Sequence, residues 1–394
     1  MTRNFLFTSE SVTDGHPDKL CDQISDAIVD RYLQQDPLTN VVAETAVSKG
    51  IIFIAVHFAS KGSVDIPGLA REVIRDIGYD DESFNARSCS VMTSLNEMPV
   101  NEELRVDERQ LDHDAIERMV VTDHATVFGF ACHQTESLLP LPIVLAHDLA
   151  RQLDRARCDG GLSYLNPDGK TQVGIEYREN RPYRIHSITL VASQKRDGPS
   201  LSKLRDDLTE QVIEQTFAGR EIRPDEKTSI WINPEGAIVL GGPRLHSGST
   251  GRKTGVDTWG DYARSSGSAL SGKDPTRIDR VGVYAARHAA KNVVAAGLAD
   301  ECEVQLSYSL GMPGPLTVRA RTFGTGRVPN EEISKRIESV FDLRLGGILR
   351  ELQLRWIPEQ RKQDFYRRLA CYGQVGRPEL DLPWERTDAM AELG

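Results

Sequence analysis

Hydrophobic and polar positions alternate over residues 40–47 and again over 51–58, with Ser48-Lys49-Gly50 between the two runs. Period-two alternation around a short polar link predicts a β-hairpin. Upstream, Leu20, Ile24, Ile28 and Tyr32 recur every four residues after His16-Pro17-Asp18-Lys19. That spacing predicts a helix with Pro17 in its first turn. A second stripe of the helix is acidic, and a solvated face is expected of Asp22, Asp26 and Asp30. Asp18 stands apart, because a His, a carboxylate and a Lys at a helix start suit a metal-bound phosphate.

The same grammar continues downstream. Helical periodicity covers 66–77, 139–153, 200–217, 281–296 (closed by Gly297), 330–341 and 345–352. Strand-like runs cover 88–93, 127–132, 170–177, 187–193 and 302–308. A turn-rich loop is expected at 8–15, a turn at 166–169, and a polar loop or junction at 96–115. Helices and strands fall into three blocks of similar size, 1–115, 116–240 and 241–394, with no low-complexity linker between them. The expected fold is α+β, with three closely packed, pseudo-repeated domains.

Residues 241–280 change the picture from architecture to chemistry. These forty residues hold eight glycines and seven basic side chains, Arg244, Arg252, Lys253, Arg264, Lys273, Arg277 and Arg280. Glycine lets backbone amides approach an anion, and clustered Lys and Arg neutralise it. With Asp279 available to hold a divalent cation, the stretch reads as a polyphosphate cradle. It is not a Walker A loop, since Arg252 stands where that motif needs glycine before Lys253.

The rest of the chain supplies the background. At a formal net charge of −10 over 394 residues, a general nucleic-acid binder is excluded and the basic island must serve small anions. No run approaches the ~20 apolar residues that span a bilayer, and no signal-peptide pattern opens the chain. Six scattered cysteines without a CxxC pair argue against structural zinc or a disulfide framework, so the cytoplasm is the expected compartment.

Several longer motifs resemble those of the S-adenosylmethionine synthetase (methionine adenosyltransferase) family. They are Phe7-Thr-Ser-Glu-Ser-Val-Thr-Asp-Gly-His-Pro-Asp-Lys19, Asp22-Gln-Ile-Ser-Asp-Ala27, Asp168-Gly-Lys-Thr-Gln-Val173 and Thr250-Gly-Arg-Lys253. Ser271-Gly-Lys-Asp-Pro275, Ala295-Ala-Gly-Leu-Ala299, Tyr372-Gly373 and Pro383-Trp-Glu-Arg-Thr-Asp388 match as well. The resemblance implies three similar α+β domains in pseudo-threefold arrangement and a homodimer or tetramer with active sites at the subunit interface. It implies attack of a thioether sulfur on C5′ of ATP, with Mg²⁺, a stimulating K⁺ and cleavage of the displaced triphosphate.

By matching positions, the resemblance puts His16 near the leaving O5′ and Asp18 and Asp279 on Mg²⁺. It puts Lys170, Arg252, Lys253 and Lys273 on the triphosphate, Glu44 at the K⁺ site, and Asp123 and Asp168 on the nucleotide. Departures from the pattern fall mainly on the acceptor side. His57 and His246 stand where the family carries carboxylates, Met98 where it carries glutamine, Ile238 where an aromatic covers adenine, and Arg277 where it has lysine. These changes leave open an acceptor other than methionine, such as a des-amino thioether, or an altered nucleotide. They also leave open a catalytically weak regulatory paralogue.

Overall fold

A computed structural model describes residues 4–82, 84–100 and 105–394. Strand β1 (Phe5–Val12) leads into helix α1 (Pro17–Gln35), the hairpin β2 (Asn40–Ser48) and β3 (Ile51–Ala59), α2 (Ile66–Ile77) and β4 (Ser90–Glu97). Next come β5 (Ala125–Cys132), α3 (Leu141–Cys158), the long hairpin β6 (Leu165–Arg178) and β7 (Arg181–Gln194), α4 (Leu201–Leu208) and β8 (Ser229–Ile232). The last block holds α5 (Ile278–Ala295), β9 (Glu301–Tyr308), β10 (Thr317–Arg321), α6 (Asn330–Val340) and α7 (Leu345–Leu352).

Among the described residues, the three larger sheets are each covered by one long helix: α1 on β2–β3–β4, α3 on β1–β6–β7–β8, and α5 on β5–β9–β10; a two-stranded ribbon, Asp80–Asp81 with Phe84–Asn85, stands beside them. This is the α+β architecture expected, though the sheets exchange strands between sequence blocks. Strand β1 pairs antiparallel with β6, from Phe5 opposite Tyr177 to Val12 opposite Lys170. Strand β5 pairs antiparallel with β9. The two-residue strand Gly248–Ser249 adds to the free edge of β2, opposite Val47 and Ala46. Such non-local pairing locks the three units together.

Local expectations fail where long-range pairing overrides turn chemistry. Residues 8–12 are strand because they pair with 170–174. The turn expected at 166–169 is a bulge inside β6, where the register against β7 slips between Leu165 and Gly169. The helix expected over 200–217 is present, running as α-helix over Leu201–Leu208, through a π-helical stretch, Thr209–Glu214, and on to Gln215–Phe217. Of the loop expected at 96–115, residues 101–104 lie outside the described residues, and the remainder includes the short helix His113–Ile116.

The acidic stripe of α1 requires a correction with functional weight. Asp22, Asp26 and Asp30 are fully buried, not solvated. Each finds partners from distant segments, as burial of a charge demands. Asp30 accepts hydrogen bonds from the Tyr366 and Arg367 amides at 2.9 Å. Asp22 accepts from Lys19 at 2.9 Å and from the Gly251 amide at 2.8 Å. Asp26 accepts from the Gly272 amide at 2.8 Å and from both terminal nitrogens of buried Arg280, at 2.7 and 3.2 Å. Helix α1 is therefore a spine onto which the glycine-rich stretch is bolted.

Two glycines let that happen. Gly272 has φ of +81°, and a Cβ there would lie 2.0 Å from the Ala43 carbonyl oxygen. A Cβ on Gly248 would lie 2.1 Å from the Pro17 carbonyl oxygen. Both ends of the basic stretch thus press against the α1–β2 unit at distances only glycine permits. Among the described residues, no helix is long and apolar enough to cross a membrane.

Candidate functional site: two charged half-sites on one strand

The first cluster forms at the start of α1. His16 is the N-cap residue, and its Nδ1 accepts a hydrogen bond from the Asp18 amide at 3.2 Å. An acceptor Nδ1 places the proton of the neutral ring on Nε2. The ring is neutral because burial pulls its pKa down to about 3, helped by His246, Lys253 and Lys170 and opposed by the Asp168 carboxylate. The 3.8 Å approach of Asp18 Oδ2 to His16 Nδ1 is accordingly not an ion pair. Lys19, expected beside the phosphate, points the other way: it is fully buried between Asp22 and Asp257.

Asp168 faces the same space from the bulge in β6 and is 7% exposed. Its Oδ2 accepts from the Gly242 amide at 2.8 Å and lies 3.1 Å from His246 Nε2, while its Oδ1 has no hydrogen-bond partner. Burial works against this carboxylate, but the bonds from His246 and Gly242 hold its pKa below the usual range. Ile238 sits alongside, opposite Ser193, whose hydroxyl donates to the Asp168 carbonyl. Exposed Lys170 lies opposite Val12 at the end of the β1–β6 pairing. Arg252 Nη1 is 3.5 Å from Asp18 Oδ1, and Lys253 donates to Glu10 at 2.8 Å. Arg252 and Glu10 are each about half exposed, and pairs with so solvated a member are worth at most ~1 kcal/mol, so a polyanion displaces them readily.

The second cluster lies at the other end of β2. Lys273 bridges to Val42 and donates to Asp279 at 2.8 Å. Asp279 occupies the first turn of α5, whose N-cap residue is Arg277. Arg277 reaches Thr122 at 3.5 Å, beside the exposed Asp123. His57 lies opposite Val42 across the hairpin and accepts at Nδ1 from Asn96 at 3.0 Å. Met98, exposed, follows on the extension of β4, its amide bonded to the Phe58 carbonyl. Glu44 is exposed on the same strand, between the two ends.

The candidate residues therefore separate into two groups. The group of His16 and His246 gathers where Ser249 meets Ala46, and the group of Lys273 and Asp279 where Lys273 meets Val42. These anchors stand four positions apart on β2, or about 14 Å along an extended strand. Glu10, Thr122, Asn96 and the Ser249 amide, which donates to Asp18 at 3.0 Å, belong to the clusters without having been singled out.

The neutral state of His16 has a measurable consequence. Its folded pKa lies below its unfolded value of 6.5, so its contribution to stability is present above pH 6.5 and is lost as pH falls toward 3. His147, fully buried beside Ser11, is shifted in the same direction, chiefly by burial. Each such histidine costs up to about 1.4 kcal/mol per pH unit below that point. His16→Asn keeps a cap acceptor and removes one titration. The variant is expected to lose about 1–2 kcal/mol less than the wild type between pH 6.5 and 5 in denaturant unfolding.

Fold and clusters define a three-unit α+β protein with two clusters of basic and acidic side chains, each beside strand β2. Family models describing the S-adenosylmethionine synthetase N-terminal, central and C-terminal domains match residues 4–99, 118–238 and 240–386. An S-adenosylmethionine synthase from Gloeothece citriformis (strain PCC 7424) is 46% identical over 407 aligned positions, covering 100% of this chain and 97% of the relative. One from Gloeobacter violaceus (strain ATCC 29082 / PCC 7421) is 46% identical over 406, covering 99% and 97%. One from Synechococcus sp. (strain JA-2-3B'a(2-13)) is 45% identical over 403, covering 98% and 97%. The chain belongs to the S-adenosylmethionine synthetase family. It is an adenosyltransferase.

Proposed function

We propose that the chain joins ATP and methionine into S-adenosylmethionine at sites completed by two protomers. The separation of the two half-sites along β2 carries this reading. Polyphosphate-binding and metal-binding residues are divided between the clusters, and about 14 Å of strand keeps them apart within one chain. The outward face of that sheet carries Ile51, Phe53 and Met92, each about half exposed, at 45–55%. A patch of this kind marks an interface. Two copies related by a twofold axis set one protomer's His16 cluster against its partner's Lys273 cluster, twice per dimer.

Chemically, the methionine sulfur attacks C5′, the C5′–O5′ bond breaks, and the electron pair leaves on the triphosphate oxygen. A thioether carries no proton, so no general base is required, and the barrier is set by positioning and by charge on the leaving oxygen. His16 Nε2–H is a neutral donor for that oxygen, held in one tautomer by the helix cap. Lys170, Arg252, Lys253 and Lys273 neutralise the triphosphate, and Asp123, Asp168 and Ile238 border the nucleotide. Arg277, His57, Met98 and His246 border the methionine. The relatives' shared name does not favour a non-methionine acceptor or a regulatory paralogue.

Asp18 and Asp279 offer hard carboxylate oxygens, one per half-site, the donor class that Mg²⁺ takes. Each already sits beside a basic residue of the cradle, Arg252 and Lys273, as expected of carboxylates that meet a metal-bound phosphate. Bound Mg²⁺ supplies neutralisation of the leaving triphosphate. The exposed Glu44 carboxylate suits the rim position of a K⁺ ligand.

Mixing two inactive variants tests the shared site. Lys170→Ala disables the first half-site and Lys273→Ala the second. Each alone is expected to be nearly inactive. When the two are unfolded and reassembled together, half the dimers are mixed, and each mixed dimer has one intact site. Activity should recover to about a quarter of wild type. Absence of recovery in mixed dimers, verified by tagged pull-down, rejects sites built across protomers.

A further inference from the structure

We propose that His16, Asp168 and His246 also form a binding site for a borderline divalent transition ion of the Zn²⁺ class, and that its occupancy withdraws His16 from adenosyl transfer. The second half of this rests on the reading of His16 given above. Each of the three residues offers a ligand atom within 4.8 Å of the other two. The two imidazole rings lie 4.9 Å apart, centroid to centroid. Bonds of about 2.0–2.2 Å to one ion would draw the three atoms closer by roughly an ångström. His246 can supply that movement, because it stands on the loop before Gly248 with its side chain 29% exposed.

The donor set selects the ion. Two imidazoles and one carboxylate suit Zn²⁺, Co²⁺ or Ni²⁺, whereas Mg²⁺ takes oxygen ligands alone. Asp168 Oδ1 is an independent pointer to a cation, since it is buried and has no hydrogen-bond partner. A buried carboxylate oxygen left in that state is costly, and an ion relieves the cost.

Ligation changes what His16 can do. A metal on Nε2 requires the ring proton to move to Nδ1, and the Asp18 amide then loses its cap acceptor. The Asp18 carboxylate stands 3.8 Å from Nδ1, placed to accept that proton's hydrogen bond after a small rotation. A carboxylate behind a metal-bound imidazole is the usual outer-shell arrangement. The same ring thus has two tautomers with two partners. One presents Nε2–H to the leaving oxygen, and the other presents a lone pair to the ion. The enzyme would lose its donor whenever the ion is bound.

The test uses Co²⁺ as probe, added to the full-length protein in Mg²⁺ buffer without ATP or methionine. Expected are a visible ligand-field band, saturation near about one ion per protomer, and loss of the band on adding Zn²⁺. His246→Gln and Asp168→Asn should each weaken Co²⁺ binding at least about tenfold, with the far-ultraviolet circular dichroism unchanged. Saturating ATP with Mg²⁺ should displace the Co²⁺. No band, or a band of unaltered affinity in His246→Gln, overturns the site. Co²⁺ retained in saturating ATP overturns the link to catalysis. Binding is read without turnover, and the mixed-dimer experiment uses no transition ion, so each reading fails separately.

Discussion

Replacing Asp26 with alanine is expected to cost the protein about 3–5 kcal/mol, the penalty for leaving one member of a buried ion pair alone. Against a total stability on the order of 5–15 kcal/mol, that is a large share. Arg280 would remain fully buried, with the Lys273 carbonyl at 2.9 Å and the Tyr284 hydroxyl at 2.9 Å but no opposite charge. The Gly272 amide would also lose its acceptor. Asp26→Asn, which retains an acceptor oxygen, should cost clearly less. The double change Asp26→Leu with Arg280→Met should recover much of the loss, because no unpaired charge is left. Denaturant unfolding at pH 7 measures all three, and an alanine variant within 1 kcal/mol of wild type would show that the pair is dispensable.

The same pair shows why part of this fold could not be read from the sequence. A carboxylate every fourth residue beside an apolar stripe has the pattern of a surface helix. The partners that reverse this reading, Arg280, Gly272 and Tyr366, arrive from elsewhere in the chain. Nothing local in α1 announces them. Residues 8–12 and 166–169 misled in the same way, because serine, threonine, asparagine and glycine signal turns unless a distant strand pairs with them. Where periodicity and burial agree within one element, as in the β2–β3 hairpin, α2, α5 and α6, the pattern sufficed to within a few residues.

The site divides along similar lines. Its residue types were legible, since a glycine-rich basic stretch in an acidic chain has few other uses, and long motifs carried the family. Its geometry was not. The spacing of His16, Lys170 and Lys253 does not show that they converge, and nothing in it separates Lys253 from Lys273. That separation appears only once Gly248–Ser249 and Lys273 both dock on β2, near opposite ends. Lys19 was placed with the phosphate group by proximity in sequence, yet one helical turn carries it into the core between Asp22 and Asp257. Desolvation of that lysine is offset by two carboxylates, with its pKa shifted upward, so it is a strut beneath the site.

His16 is the position where structure and chemistry can be separated cleanly. Loss of a donor to charge developing on a leaving oxygen costs about 2.7–4 kcal/mol in the transition state, or roughly 10²–10³ in kcat. Both His16→Ala and His16→Asn remove the Nε2–H and should show that loss, with methionine and ATP saturating. They differ in the fold. Alanine also removes the cap of α1, at about 0.5–2 kcal/mol, while asparagine is among the best caps and should restore it. The expected outcome is two equally slow enzymes of unequal stability, read by single-turnover kinetics and by denaturant unfolding at pH 7. An asparagine variant with wild-type kcat would show that His16 serves only the helix. An alanine variant that is slow yet fully stable would show the reverse: the Asp18 amide then finds another acceptor, and the capping geometry does not set the tautomer on which the donor role of His16 depends.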